Sequence, residues 1–211
     1  MNIADIRKEY KLQSLHEADV ESNAIVQFGK WWDEAMKSDI DEVNAMALAT
    51  ASPDGKPSVR IVLLKGFDER GFTFFTNYES NKGIALANNP KASVVFFWKE
   101  LQRQIRIDGI TEKVSALESD TYFASRPEGS RIGAWASPQS KVITRDEIEN
   151  KFSLSQKEFA EKNIPRPLFW GGYRIKPQVI EFWQGRPNRL HDRIVYSLDK
   201  NSDWKIERLA P

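Results

Sequence analysis

The feature that most constrains the fold is a succession of short β-patterned runs joined by turns too tight for a crossover. Ala45–Ala51 and Pro57–Phe67 are separated only by Ser52-Pro53-Asp54-Gly55-Lys56, whose composition is that of a hairpin turn. Asp68-Glu69-Arg70-Gly71 then leads into Phe72–Thr76, and Lys99-Glu100 joins Ala92–Trp98 to Leu101–Val114. Parallel neighbours would need connections of a dozen residues or more, so these runs must pair antiparallel. Three further runs close the chain: Gly172–Ile175 continuing towards Trp183, Arg189–Ser197, and Asp203–Leu209. Roughly seven strands in meander order result.

Helical segments are inserted between the strands. Ile25, Phe28, Trp32, Ala35 and Met36 recur at helical spacing, predicting an amphipathic helix over residues 22–37. Ser80–Asn89 reads as a short helix stopped before Pro90. Ser115-Ala-Leu-Glu118 and Thr144-Arg-Asp-Glu147 are capping boxes, opening helices to about Ser125 and about Lys162. The pattern predicts an α+β protein built on an antiparallel barrel or curled sheet. No repeat or low-complexity linker divides it, so residues 21–211 are expected to form one domain after a mobile leader, residues 1–20.

Composition narrows the chemistry. Lysines and arginines total 31 against 30 acidic residues, so a nucleic acid is not the expected partner. No apolar run approaches the roughly 20 residues of a membrane span, and the N-terminus lacks a signal core, making the cytoplasm the expected location. The absence of cysteine removes thiolate nucleophiles, iron–sulfur ligation and cysteine zinc sites. Only two histidines occur, His16 and His191, so no histidine-rich metal centre is available. Redox chemistry would need an organic cofactor.

Several segments can hold anions. On a strand, Arg189, His191 and Arg193 would share one face and repel one another until an anion arrived. The alternative is a solvated strand face; the flat ring of Trp183 favours a pocket. Arg60 and Lys65 bracket Ile61, Val62, Leu63 and Leu64 on a strand expected to be buried on both faces. Alternation puts the two cations on opposite faces unless the strand ends before Lys65, and exposed strand ends would look the same. Lys82, near the start of a helix that follows Phe75 and Thr76, suits a phosphate. Tyr122 and Arg126 lie one helical turn apart, with Ser130 at the start of the next element, and could cradle a second phosphate or decorate a helix end. Gln104 can offer an amide to a heterocycle or point to solvent. Gly171-Gly172 reads as tight strand packing. Walker and Rossmann glycine patterns are missing.

Taken in order, Arg60-Ile-Val-Leu-Leu-Lys65, Phe75-Thr-Asn77, Ser80-Asn-Lys82, Tyr122-Phe-Ala-Ser-Arg126-Pro, Ile132-Gly-Ala-Trp135, Gln139-Ser140, Phe169-Trp-Gly-Gly172, and Glu181-Phe-Trp-Gln-Gly185 through Arg189-Leu-His-Asp-Arg193 resemble the pyridoxamine 5′-phosphate oxidase family. The resemblance runs from Arg7-Lys-Glu-Tyr10 to Arg208-Leu-Ala-Pro211.

The resemblance implies a split-barrel homodimer with FMN at the subunit interface. It implies oxidation of pyridoxamine or pyridoxine 5′-phosphate to pyridoxal 5′-phosphate, with O2 reduced to H2O2. The FMN residues would be Arg60, Ile61, Val62, Leu63, Leu64, Lys65, Phe75, Thr76, Asn81, Lys82, Gln104, Gln139, Ser140, Trp183 and Arg193. The substrate residues would be Lys65, Tyr122, Arg126, Ser130, Arg189, Leu190 and His191. Arg189 and His191 would border the reacting ring as the catalytic pair, and Arg7, Lys8, Glu9 and Tyr10 would close over the site. Glu42 aligns with a position usually acidic near the substrate.

Asn81 stands where many members carry arginine, and Phe75 where some carry tyrosine. Two rival readings are a split-barrel flavin reductase with another substrate and a non-catalytic FMN or pyridoxal phosphate binder. The first has no reason to combine Tyr122, Arg126, Ser130, Arg189 and His191.

Overall fold

A computed structural model of the protein describes residues 2–6 and 8–211; Arg7, expected in the closing leader, lies outside the described residues. Among these residues nine strands form one antiparallel sheet. They are β1 (Ala45–Ala51), β2 (Pro57–Leu63), β3 (Gly66–Asp68), β4 (Gly71–Asn77), β5 (Lys91–Trp98), β6 (Arg103–Lys113), β7 (Trp170–Gln184), β8 (Asp192–Leu198) and β9 (Trp204–Arg208). The main path runs β2-β1-β5-β6-β7-β4-β3, with β8 and β9 continuing from β7.

The two ends of that path, β2 and β3, are consecutive in sequence. Only Leu64 and Lys65 separate them, so the chain itself carries one edge round to the other and the sheet curls into a barrel. The single strand expected over Pro57–Phe67 is therefore two strands and a corner. Leu64 N–H donates to Asn44 O and Lys65 N–H to Thr73 O, holding the corner between β1 and β4. Strand β7 is long enough to serve two neighbours on one edge: Trp170–Ile175 pairs with β4, and Val179–Gln184 with β8.

The strand expected to be buried on both faces, β2, is largely exposed, with Val59 68% and Ile61 66% accessible. As an edge strand of a curled sheet it has one neighbour and an uncovered outer face.

Helix α1 (Ala24–Met36), capped by Asn23, drives the core. Its Phe28 ring centroid lies 4.8 Å from both Phe67 and Phe72 and 5.4 Å from Phe96, inside the curl. Inward residues of β4, β5, β6 and β7 (Phe74, Val94, Ile107, Ile180) complete the main cluster. Helices α2 (Asn81–Asn88), α3 (Ala116–Ala124), α4 (Glu128–Ala136) and α5 (Arg145–Glu158) lie between strands in sequence. Both predicted capping boxes are formed, at Ser115/Glu118 and Thr144/Glu147. A smaller cluster of Phe123, Ile132, Ile164 and Trp170 joins α3 and α4 to the start of β7.

The leader follows a hydrogen-bonded course. Lys11 and Leu12 N–H groups donate to Gln102 Oε1, Leu15 N–H donates to Asp192, and buried Leu15 enters the core. Arg208 ties Glu17 and Asp192 together with ion pairs of 2.7 and 2.8 Å.

Candidate functional site

The corner at Leu64-Lys65 frees Lys65 from the alternation of β2, but Arg60 is not among the residues that line the cleft Lys65 reaches. Because β2 stops at Leu63, the alternation ends before Lys65, and Lys65 reaches the same cleft that Ile61, Val62 and Leu63 line. Leu64 instead turns its side chain into the core, only 4% exposed, so only its backbone is available at the cleft side. The cleft, about 510 Å3, also takes in Phe75, Thr76, Lys82, Tyr122, Arg126, Ser130 and Gln139. Segments far apart in sequence thus supply eleven of the expected site residues to one concavity. Its described lining has three cations and no carboxylate.

Two polar groups can be distinguished there. At the start of α2, Ser80 caps the helix by accepting from Gly83 N–H at 3.2 Å. Next to it Lys82 Nζ donates to Gln139 Oε1 at 3.0 Å, and Asn81 N–H donates to Ser140 Oγ at 3.2 Å. Asn81 thus meets Ser140 through its backbone. Burial, and then the nearby Arg60, push the Lys82 ammonium below its usual pKa. Arg60 is half-buried and anchored on Leu48 O and Thr50 Oγ1. These are the signs of positive charge assembled without a counter-ion.

The second group is held by aromatic rings. Phe75 and Tyr122 stack with centroids 4.0 Å apart, and Trp170 lies nearly parallel to both, at 5.6 and 6.1 Å. Arg126 sits over Trp170, 4.8 Å from its centroid. Burial lowers the Arg126 pKa, and its Nη1 is buried without a hydrogen-bond partner. Phe75 thus presents its ring face to Tyr122 and Trp170. Gly171 and Gly172 pack tightly, as expected: a Cβ on Gly172 would lie 2.8 Å from the Phe75 ring.

Other expected residues lie elsewhere. Gln104, Trp183 and Arg193 are directly opposite one another across β6, β7 and β8, so they form one row on one sheet face, with Phe97 beside Gln104. Arg193 is fixed by a two-pronged bond to Glu181, at 2.7 and 3.1 Å. Trp183 follows Trp170 by thirteen residues on β7, a span of up to about 43 Å along an extended strand.

The shared strand face expected for Arg189, His191 and Arg193 is not formed. Pro187–Arg189 is a 3-10 turn, Asn188 and Arg189 adopt φ of 56° and 62°, and β8 begins only at Asp192. Pro187 fixes its own φ, and the two left-handed residues after it bend the chain out of the strand. His191 Nδ1 closes the turn by accepting Arg186 N–H at 3.0 Å. Burial, reinforced by Arg189 and opposed by Asp192, lowers the His191 pKa, favouring the neutral ring.

Lys8, Glu9, Tyr10, Arg189 and His191 line a second cavity, about 640 Å3, which shares no lining residue with the cleft. Tyr10 and Trp183 meet edge-on at 5.8 Å, and His191 lies 4.6 Å from Trp183. Leu190 is exposed, and Glu42 lines a third cavity that includes Lys65. Sequence reasoning missed Trp170 and Ser137 as cleft residues; pairing of Trp170 with Asn77 would have been the signal for the former.

Comparison with known proteins gives a consistent pattern. A family model described as Pyridoxamine 5′-phosphate oxidase matches residues 32–152, and one described as Pyridoxine 5′-phosphate oxidase C-terminal dimerisation region matches residues 170–211. A protein of Cyanothece sp. named pyridoxine/pyridoxamine 5′-phosphate oxidase is 55% identical, over 100% of this chain and 99% of its own. One of the same name from Cupriavidus metallidurans is 57% identical, over 99% of both. The crystal structure of PhzG from Burkholderia lata, in complex with tetrahydrophenazine-1-carboxylic acid, superimposes with a TM-score of 0.89 at 31% identity, covering 95% of this chain and 100% of that one. A pyridoxamine 5′-phosphate oxidase-related, FMN binding protein from Nostoc punctiforme shares the fold, with a TM-score of 0.70 at 17% identity, covering 94% of this chain and 100% of its own.

Proposed function

The chain belongs to the pyridoxamine 5′-phosphate oxidase family, and on that premise we propose that it is an FMN-dependent oxidase of pyridoxamine and pyridoxine 5′-phosphates. The product is pyridoxal 5′-phosphate, with O2 reduced to H2O2. The observation that carries this reading is the cleft, where two groups of cations and hydroxyls stand together without an acid among the described lining. Two phosphorylated ligands would need two such groups.

The residues present fit FMN. Lys82, Gln139, Ser140 and the backbone of Asn81 form a hydrogen-bonded cradle whose charge the protein leaves unpaired, with Arg60 close enough to depress the lysine. Bound FMN would supply the hydride acceptor and return the electrons to O2. Lys65, Tyr122, Arg126 and Ser130 hold the substrate phosphate in this reading, fixing the ring by its far end. Arg189 and His191 border the ring, with His191 neutral and its Nδ1 engaged by Arg186 N–H, leaving Nε2–H as a donor. Positioning dominates over proton transfer in such a site.

Within one copy neither Trp183 nor Arg193 lines the cleft, while the dimerisation region includes both. A homodimer is proposed in which the row and turn of one copy complete the cleft of the other, with the leader, residues 1–20, anchored at Leu15 and Glu17 and closing over the assembled site from there, and residues 21–211 as the single domain. The exposed Ile61 and Phe97 are the kind of surface such a partner covers. No described helix is long and apolar enough to cross a membrane, and a cytoplasmic location is proposed.

The test is a visible spectrum of purified protein with anaerobic pyridoxamine 5′-phosphate, then air. Bleaching, recovery and peroxide are expected. A flavin that stays oxidised would favour a different substrate or a non-catalytic binder, and failure to take up FMN would overturn the reading.

A further inference from the structure

The segment Phe169-Trp-Gly-Gly172 has no role in the assignment above, yet its tryptophan lines the cleft. Trp170 is only 7% exposed and packs in the smaller hydrophobic cluster with Phe123 and Ile132. Its ring lies beside two members of the proposed phosphate group: Arg126 sits over it at 4.8 Å, and the Tyr122 ring is nearly parallel to it, with planes 8° apart and centroids 6.1 Å apart. Phe123 supplies a second ring near Arg126, at 5.6 Å.

The two most deeply buried arginines of this protein are held by acids, whereas the half-buried Arg126 is not. Arg103 pairs with Glu34 at 2.7 Å, and Arg174 with Glu118 at 2.6 Å. A carboxylate fixes a guanidinium but also cancels its charge, which weakens its attraction for a phosphate. Aromatic faces fix it and leave the charge intact. No ion pair to Arg126 is formed among the described residues, and the cleft lining contains no acid.

We infer that Trp170 sets the enzyme's preference for phosphate esters by holding Arg126 as an un-neutralised cation and aligning Tyr122 beside it. Trp170 is a positioning residue: it acts through Arg126, whose contact with the substrate phosphate is part of the proposed function on which this inference rests. The glycines that follow make the arrangement possible. A Cβ on Gly172 would press on Phe75, and one on Gly171 on the Tyr78 hydroxyl, so the start of β7 could not bring Trp170 flush against the stack.

The experiment compares wild-type, W170F and W170L flavin-loaded enzyme on pyridoxamine 5′-phosphate and on unphosphorylated pyridoxamine. Loss of the aromatic face raises KM for the phosphate ester by about three- to thirty-fold in W170L, and less in W170F, which keeps a smaller and poorer ring. KM for pyridoxamine stays near the wild-type value, so discrimination between the two substrates narrows in the same order. A purely structural role would weaken both substrates together. Calorimetric titration of inorganic phosphate gives the same comparison without turnover. Should W170L fail to fold, W170F decides, with at least a roughly twofold loss expected. Unchanged discrimination and unchanged phosphate affinity in the folded variants would overturn the inference. A wild-type protein that binds phosphate and oxidises neither substrate would overturn the proposed reaction while leaving the phosphate comparison standing.

Discussion

Gly172→Ala is the substitution whose outcome the geometry determines most sharply. The added Cβ would stand 2.5 Å from Val114 Cγ2 and 2.8 Å from Phe75 Cε1. Carbon atoms settle at about 3.5–4.0 Å, so the neighbours must withdraw by about 1 Å. Neither has room. Val114 is 93% buried by its 7% exposure, and Phe75 backs onto Tyr122 with ring centroids 4.0 Å apart.

Overpacking of this kind costs about 1–3 kcal/mol, offset by about 0.5–1 kcal/mol gained when a strand glycine becomes alanine. A net loss of about 1–2 kcal/mol corresponds to a Tm lower by roughly 2–8 °C for a chain of this size. Urea denaturation at fixed protein concentration would show a lower midpoint with an unchanged slope, because one added methyl barely changes the surface exposed on unfolding. A variant at least as stable as the wild type would refute the reasoning. Because the displaced ring is Phe75, the same variant should also bind FMN more weakly, read by flavin fluorescence.

Two further predictions concern charge. Lys82→Met removes the ammonium from the cradle, and FMN affinity should fall by about ten- to hundredfold, the worth of a charge-assisted bond; equal affinity by fluorescence titration would displace Lys82 from the phosphate. His191 has its folded pKa below the ordinary 6.5, so the unfolded chain binds the proton more readily. Stability from the neutral ring is therefore present above about pH 6.5 and is lost as pH falls below it. His191→Asn, which keeps an acceptor for Arg186 N–H, should flatten the fall in Tm between about pH 7 and pH 5, and equal slopes in both proteins would contradict this.

Much of the fold was legible because tight turns and capping boxes are local chemistry. Strand β1 falls over Ala45–Ala51, and both boxes close. What escaped depends on tertiary closure. The break at Leu64-Lys65 comes from carrying the chain between barrel edges, which no local pattern in Arg60–Lys65 announces. The stretch Arg189–His191 reads as strand by residue type, but Pro187 and the left-handed Asn188 and Arg189 make it a turn. For the site, the family resemblance named Lys65, Lys82 and Arg126, which the fold brings to one cleft, while Trp170, quoted only within its motif, comes to that cleft through the strand pairing that sets it beside Asn77 and next to Phe75.

The central claim is that one copy's cleft is completed by another copy's row and turn. Mixing two inactive variants tests it directly: K82M/R126M, which lacks the cleft cations, and R189A/R193L, which lacks the turn and row. Random reassortment makes about half the dimers mixed, and each mixed dimer then has one intact site of two, so activity should return to about a quarter of wild type. If each copy carried its whole site, no intact site could form and the mixture would stay inactive.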